Sequence, residues 1–236
     1  MDSVDSTNNY AMALVREGLA RHGMAFAARE QTAGKGQRGK SWQMQPGQSI
    51  AMSLTLNTDK LKINQQFCLS MLVALAVTDF FKKYAGKETF IKWPNDLYWR
   101  DRKAGGILIE TVYKGPVWKW AVVGIGININ QSSFPGSLPN PVSLQQVTGK
   151  EYDAIELAAE LHALLMERVD TFSATAATKI LKEYNRRLYK INQTVKLKKA
   201  NAVFKTTVKG VSANGQLLTE DTMERQFEFG EVQWVL

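Results

Sequence analysis

Cysteine occurs once in this chain, at Cys68, so no disulfide can form within it, and a reducing compartment is expected. Histidine occurs only at His22 and His162, and no Cys/His cluster has the spacing of metal ligands. No metal-binding residue is therefore expected. Long hydrophobic runs are missing too. The longest apolar stretch, Leu69 to Phe81, is interrupted by Thr78 and Asp79. It falls short of the roughly 20 residues that span a bilayer and reads as a core helix. Asp2, Ser3 and Asp5 follow Met1, which excludes the basic-then-apolar pattern of a signal peptide. A cytoplasmic protein without a membrane partner is expected.

The chain has 236 residues, 44% of them hydrophobic, enough for one medium domain or one domain plus a small appendage. Net charge is +8. The basic residues are dispersed, and no run matches a nucleic-acid module. The charge is read as a surface that attracts anionic substrates or acidic proteins, and no nucleic-acid partner is expected.

Periodicity organises the chain. Ser6 and Thr7 start a helix, Ala11, Leu14, Val15 and Leu19 continue it, and Gly23 ends it. Strands are expected over Met24–Ala28 and Ser49–Leu56, separated by a glycine-rich loop from Gln31 to Gly47. Gln65 to Tyr84 is a long apolar helix. Strands follow at Thr89–Trp93, Leu97–Trp99, Gly106–Tyr113 and Val117–Asn128, and antiparallel hairpins predominate over βαβ units. A Pro/Ser/Asn-rich loop runs from Gln131 to Gly149, followed by helices over Asp153–Phe172 and Ala176–Tyr189. From about Gln193 short strands with Asn-Gly and Gly punctuation suggest a small appended β domain.

Within the first loop, "GKGQRGKS" (34–41) fits two nucleotide-binding patterns at once. Gly34, Gly39, Lys40 and Ser41 satisfy the phosphate loop, and Gly34, Gly36 and Gly39 satisfy the dinucleotide fingerprint. Both need a buried strand before the loop and a helix opening on it. Arg29 to Ala33 is mostly polar, and Pro46 and Gly47 would break a helix within two turns. Neither pattern has its context. What remains is backbone N–H groups freed by glycine, the cations Lys35, Arg38 and Lys40, and the face of Trp42, all suited to an anionic ligand. A loop that is loose when empty and orders over that ligand is expected.

Three further segments give this loop a setting: "DSTNNYA" at 5–11, "KWPNDLYWRDRKAGGILIE" at 92–110 and "VVGIGININ" at 122–130. With "QTAGKGQRGKSW" at 31–42 they resemble, in order and spacing, the biotin–protein ligases, and the resemblance covers nearly the whole chain. It implies an α+β fold: a mixed sheet with flanking helices like the catalytic domain of class II aminoacyl-tRNA synthetases, over residues 1–190, then an SH3-like barrel over 191–236. Some members carry an N-terminal helix-turn-helix that represses biotin synthesis genes. Here the Ser-Thr-Asn motif begins at residue 6, so the form without that domain is expected.

The implied reaction joins biotin to ATP as biotinyl-5′-AMP and then transfers biotin to a lysine of a biotin carboxyl carrier protein, that of acetyl-CoA carboxylase by family precedent. ATP and Mg2+ are implied, the metal held by phosphates and water. The resemblance places Lys103 beside the biotin carboxylate and the reacting phosphate, with Lys35 and Arg38 binding phosphate. Asp96 is expected to orient the acceptor amine or take its proton, since a lysine amine has a pKa of about 10.4. Biotin contacts are expected from Ser6, Thr7, Asn8, Gln31, Gly36, Gln37, Lys103, Gly106 and Gly124, with Gly126 on the same strand. Nucleotide contacts are expected from Lys35, Arg38, Lys40, Trp42, Asn95 and Asn128. Many members read Gly-Arg-Gly-Arg-x-Gly-Arg in the loop. Here Lys35 and Lys40 replace the first and last arginines, keeping charge without the bidentate fork, and Gln37 carries no charge. The family's C-terminal adenylate contacts have no evident counterpart in "EVQWVL".

Rival readings are a lipoate or octanoate ligase of the same fold, a biotin-sensing DNA-binding regulator and a phosphate-loop NTPase. The Lys-Trp-Pro-Asn-Asp motif, the lack of a preceding helix-turn-helix and the missing helix after Lys40 argue against them in turn. Exposed sheet edges make a homodimer an expectation.

Overall fold

A computed structural model describes every residue of the chain except 60, 62–64, 137, 139 and 236. In chain order come β1 (Ser3–Val4), α1 (Thr7–Arg16), β2 (Met24–Ala27), β3 (Glu30–Gln31), β4 (Ser49–Asn57), α2 (Gln66–Ala85), β5 (Thr89–Lys92), β6 (Asp96–Trp99), β7 (Arg102–Lys114) and β8 (Val117–Asn128). Then follow α3 (Leu144–Thr148), α4 (Ala154–Asp170), α5 (Ala177–Arg186), β9 (Thr194–Lys199), β10 (Ala202–Val211), β11 (Leu217–Glu220), β12 (Glu224–Phe227) and β13 (Gln233–Val235).

The first large sheet has the order β2-β4-β8-β7-β6-β5, and each of its pairings is antiparallel. The mixed sheet implied by the resemblance is thus antiparallel within these six strands. The parallel pair stands apart, β1 beside β3. Alternation along β8 sends Val123, Ile125 and Ile127 into the main core and Val122 into a smaller cluster under α1 with Ala11 and Val15. Helix α2 is apolar on nearly all sides because it is enclosed: Leu69, Leu75, Phe80 and Phe81 are all but inaccessible, each burial worth about 1.5–3 kcal/mol. Gly86, at φ +78°, ends it.

The C-terminal strands form a second antiparallel sheet, β12-β11-β10-β9-β13. Among the described residues no pairing joins β12 to β13, so the order is that of an open sheet rather than a closed barrel. This sheet is tied to the first. Trp93 Nε1, just past β5, donates to Gly215 O at 2.8 Å; on α5, Asn185 Oδ1 accepts from Val211 N of β10 at 2.8 Å; and the segment leading to β9 joins β5 through Tyr189 N to Ile91 O at 2.8 Å. The apolar core runs through both layers, from Leu54 to Leu217 and Val232.

Two expectations fail locally. Helix α1 ends at Arg16, not at Gly23. Gly18 takes φ +73°, the N–H groups of Leu19 and Ala20 turn back to Leu14 O, and Leu19 is exposed. A leucine at helical spacing was therefore no sign of burial. The Gln131–Gly149 loop contains α3, started by a reciprocal Ser143/Gln146 capping box and stopped by Gly149 in the left-handed region.

Candidate active site

The six-stranded sheet carries a cavity of about 530 Å³ on the face that also holds α1. Four elements bring its chemistry together. The start of α1 supplies Ser6, Thr7 and Asn8, the 31–42 loop supplies Gln31 and the cations, β6–β7 supply Asp96, Lys103 and Gly106, and the C-terminal segment closes one side with Phe229, Gly230 and Trp234.

The uncharged end is a ladder of small polar groups. Gln31 Oε1 accepts from Thr7 N at 2.9 Å and lies 3.0 Å from Thr7 Oγ1. Ser53 Oγ lies 2.7 Å from Thr7 Oγ1 and 2.5 Å from Asn8 Oδ1, and Asn8 Nδ2 donates to Glu110 at 2.8 Å. Ser6 holds the N-cap position of α1, yet its side chain makes no cap hydrogen bond. Its hydroxyl is buried without a protein partner among the described residues, so the expected capping role gives way to a donor and acceptor at the cavity wall.

The other end is cationic. Among the described residues, Lys35, Arg38, Lys40, Lys92 and Lys103 line the cavity against a single carboxylate, Asp96. Lys103 Nζ reaches Asp96 Oδ1 at 2.6 Å, above Gly106. Lys103 sits within β7 rather than at a hairpin tip. Its N–H donates to Asn140 O at 2.9 Å and its carbonyl accepts from Val142 N at 2.8 Å, which fixes its backbone on one side. Lys92 was not anticipated. It is buried, donates to Tyr98 Oη at 2.9 Å and lies over the rings of Tyr98 and Trp234. Burial pushes its ammonium down to about 8, with Lys103 and Lys40 adding repulsion and Asp96 opposing it. Burial also pushes the Tyr98 phenol up, with Asp96 and Asp101 adding to the rise. The signal was in the sequence: Lys92 opens the Lys-Trp-Pro-Asn-Asp run, between buried Ile91 and Trp93.

The 34–42 loop is closed on itself by Gly36 N to Lys40 O at 2.7 Å and Trp42 N to Gly34 O at 2.8 Å. These two bonds make the loop a hairpin. No helix follows Ser41; the next regular element is β4. Trp42 lies so close over Gly126 that a Cβ there would stand 2.5 Å from the indole ring. Arg38, at φ 55°, crosses to the C-terminal segment, its guanidinium 5.5 Å from the Phe229 ring centre and against Gly230. Gln37 Nε2 and Asn95 Nδ2 both donate to Ile107 O, at 3.2 and 2.7 Å.

Every expected site residue lines this cavity but one. Asn128 is buried behind it, donating to Val142 O at 3.1 Å and lying 3.5 Å from Lys103 O. It braces the strand pair beside Lys103 and does not line the cavity, where an adenine contact was expected. In "EVQWVL", Val232, Gln233 and Trp234 reach the cavity, and Leu236 lies outside the described residues.

Residues 1–128 match the model of the biotin/lipoate A/B protein ligase family. The chain is 31% identical over 222 residues to the bifunctional ligase/repressor BirA of Bacillus spizizenii, covering 93% of this chain and 68% of that one. It is 37% identical over 181 residues to the biotin–[acetyl-CoA-carboxylase] ligase of Paracoccus denitrificans, covering 71% and 72%. The biotin protein ligase of Aquifex aeolicus in complex with biotin and ATP superposes with a TM-score of 0.83 at 25% identity, covering 100% of this chain and 97% of that one.

Proposed function

The chain belongs to the biotin/lipoate A/B protein ligase family, and from that premise we propose the work of its site: a biotin–protein ligase that forms biotinyl-5′-AMP and passes biotin to a carrier-protein lysine. One observation carries the reading. A single cavity joins an uncharged end fitted to a cyclic urea with an end where, among the described residues, five cations face one carboxylate.

In the first step a biotin carboxylate oxygen attacks the α-phosphorus of ATP. The new O–P bond forms as the bond to the β-phosphate oxygen breaks, and pyrophosphate leaves. Two anions must meet, so preplaced cations lower the barrier. Lys103, held by Asp96, lies between the reacting groups. Lys35, Arg38 and Lys40 take the phosphates, and Trp42 offers a face to adenine. At the other end Ser6, Thr7, Asn8 and Gln31 meet the ureido group, while Gly36, Gln37, Gly106 and Gly124 line the space for the rings and chain. Asn95 fixes the turn before β6. In the second step the acceptor amine attacks the acyl carbon and AMP leaves. Asp96 is the carboxylate at hand to take the amine proton.

Among the described residues no group of His, Cys, Asp or Glu is placed to hold a metal ion, and Asp96 is engaged by Lys103. The residues present do not fit a protein-held magnesium, so Mg2+ arrives on the nucleotide phosphates. Two further assignments rest on the family and the topology: residues 1–190 as a class II synthetase-like catalytic domain, and 191–236 as an SH3-like domain contributing Phe229 and Trp234 to the site. No described helix is long and apolar enough to cross a membrane. A cytoplasmic protein acting on the carrier domain of acetyl-CoA carboxylase, and self-associating through a sheet edge, completes the proposal.

The test is mass spectrometry of small molecules released after incubation with ATP, Mg2+ and either biotin, lipoate or octanoate. Biotinyl-AMP from biotin alone supports the reading. A lipoyl or octanoyl adenylate overturns the substrate, and no adenylate from folded protein overturns the chemistry.

A further inference from the structure

Lys92 is the one cation of the cavity that the two steps leave without a task, and it is the least suited to stand alone. It is buried and lines the cavity. Among the described residues its hydrogen bond goes to a neutral group, Tyr98 Oη at 2.9 Å, and it lies over the ring faces of Tyr98 and Trp234. Asp96, opposite it across the β5–β6 hairpin, is engaged by Lys103 at 2.6 Å. An ammonium carries three N–H donors, so donors remain for a ligand. A buried cation whose neighbours are neutral or already paired gains most from a bound anion.

The register of the sheet points to which anion. Lys92, Asp96, Gly106 and Gly126 stand opposite one another in a row across β5, β6, β7 and β8, and all four line the cavity. Trp42 covers Gly126, and Lys103 Nζ lies above Gly106. Asn8, at the uncharged end, lies against Gly124 of β8. Strands stand about 4.8 Å apart, so the backbone of Lys92 is roughly 10 Å beyond Gly106, on the side away from the uncharged end. Attacking and leaving oxygens are roughly in line at a reacting phosphorus. A carboxylate that enters from β8 and reacts above β7 therefore expels its leaving group toward β5.

We propose that Lys92 binds the pyrophosphate end of ATP and holds pyrophosphate as it leaves. This rests on the adenylation reading above and adds the residue that receives the leaving group. As the bond from the α-phosphorus to the bridging oxygen breaks, that oxygen keeps the electron pair, and Lys92 Nζ–H donates to a pyrophosphate oxygen. The charged and titratable groups that face Lys92 are Asp96 and Tyr98 on β6, Lys103 on β7 and Lys40 in the 34–42 loop. Burial and the two lysines favour its neutral form, so a bound polyphosphate, which favours the ammonium, draws in a proton.

The probe is the α,β-methylene analogue of ATP, whose P–C–P link prevents loss of pyrophosphate. It is titrated with Mg2+ into biotin-saturated protein by calorimetry at pH 8, in two buffers of different ionisation enthalpy. Biotinyl-AMP, which has no pyrophosphate, is titrated into the ligand-free protein. Wild type, Lys92→Met and Lys92→Arg are compared, with melting curves of all three. Lys92→Met is expected to bind the analogue at least about tenfold more weakly, the scale of a charge-assisted hydrogen bond, and this loss is expected to exceed its loss for biotinyl-AMP by about fivefold or more. Near pH 8 about half of Lys92 is neutral in the free protein, so the wild type is expected to take up about half a proton more with the analogue than either variant. Methionine does not titrate, and arginine stays charged. Wild-type affinity for the analogue in Lys92→Met, equal losses for the two ligands, or equal proton uptake in all three proteins overturns the inference alone. If Lys92→Met does not fold, proton uptake in Lys92→Arg against the wild type decides. A wild type that binds neither biotin nor biotinyl-AMP overturns the functional reading beneath it.

Discussion

Replacing Lys92 by methionine removes the most perturbed cation of the site and leaves a side chain of similar length. The fall of its ammonium from an ordinary 10.5 to about 8 corresponds to about 3 kcal/mol at ~1.4 kcal/mol per pH unit. The sign follows from proton counting. Between about pH 8 and 10.5 the folded protein has released this proton while the unfolded chain still holds it. The unfolded state binds more protons there, so this group's contribution to stability rises with pH. Below pH 8 both states are protonated and the burial penalty is borne in full. From pH 7.5 to 10 the wild type should gain about 2 kcal/mol over Lys92→Met, or about 4–8 °C in Tm for a chain of this size. Measurements stop at pH 10 because burial holds the Tyr98, Tyr184 and Tyr189 phenols above their ordinary value, which reverses the sign at higher pH. Denaturant unfolding of both proteins at half-unit steps reads the difference. Parallel curves would refute the assignment of a proton loss to Lys92.

Gly126→Ala should lower stability by about 1–3 kcal/mol and shift Trp42 fluorescence, since the ring must leave its place; an unchanged spectrum with wild-type Tm contradicts the packing. Asp96→Asn leaves Lys103 unpaired, and adenylate formation measured by pyrophosphate release should fall at least about tenfold. A wild-type rate for both adenylation and transfer would remove Asp96 from the mechanism. Transfer to an acidic carrier protein should slow more than adenylation between low and high salt, because screening weakens the encounter with a chain of net charge +8. Equal salt effects on both steps would remove charge steering.

Local pattern was enough wherever local physics dominates. The apolar run 66–85, with Gly86 after it, makes a buried helix in any context that encloses it. The hairpins β5–β6–β7–β8 follow from alternation and turn residues. The loop cations were legible because cations between glycines suit an anion whatever lies nearby. Leu19 misled because helical spacing does not show that a partner surface exists, and α3 was missed because its start rests on a two-residue cap inside a polar stretch.

The sequence by itself determined the class of chemistry: four ordered motifs, a cationic glycine loop and a chain without metal-ligand clusters. Only the tertiary structure decided which groups face the ligand. It turned Asn128 away behind Lys103, buried Lys92 against Tyr98 and Trp234, brought Phe229 and Gly230 to Arg38, and put Glu110 beneath Asn8. The partners stand six residues apart in sequence for Lys92 and Tyr98 and 102 apart for Asn8 and Glu110. Their effect, through burial, charge and hydrogen-bond direction, is a property of distance in space, which spacing along the chain does not record.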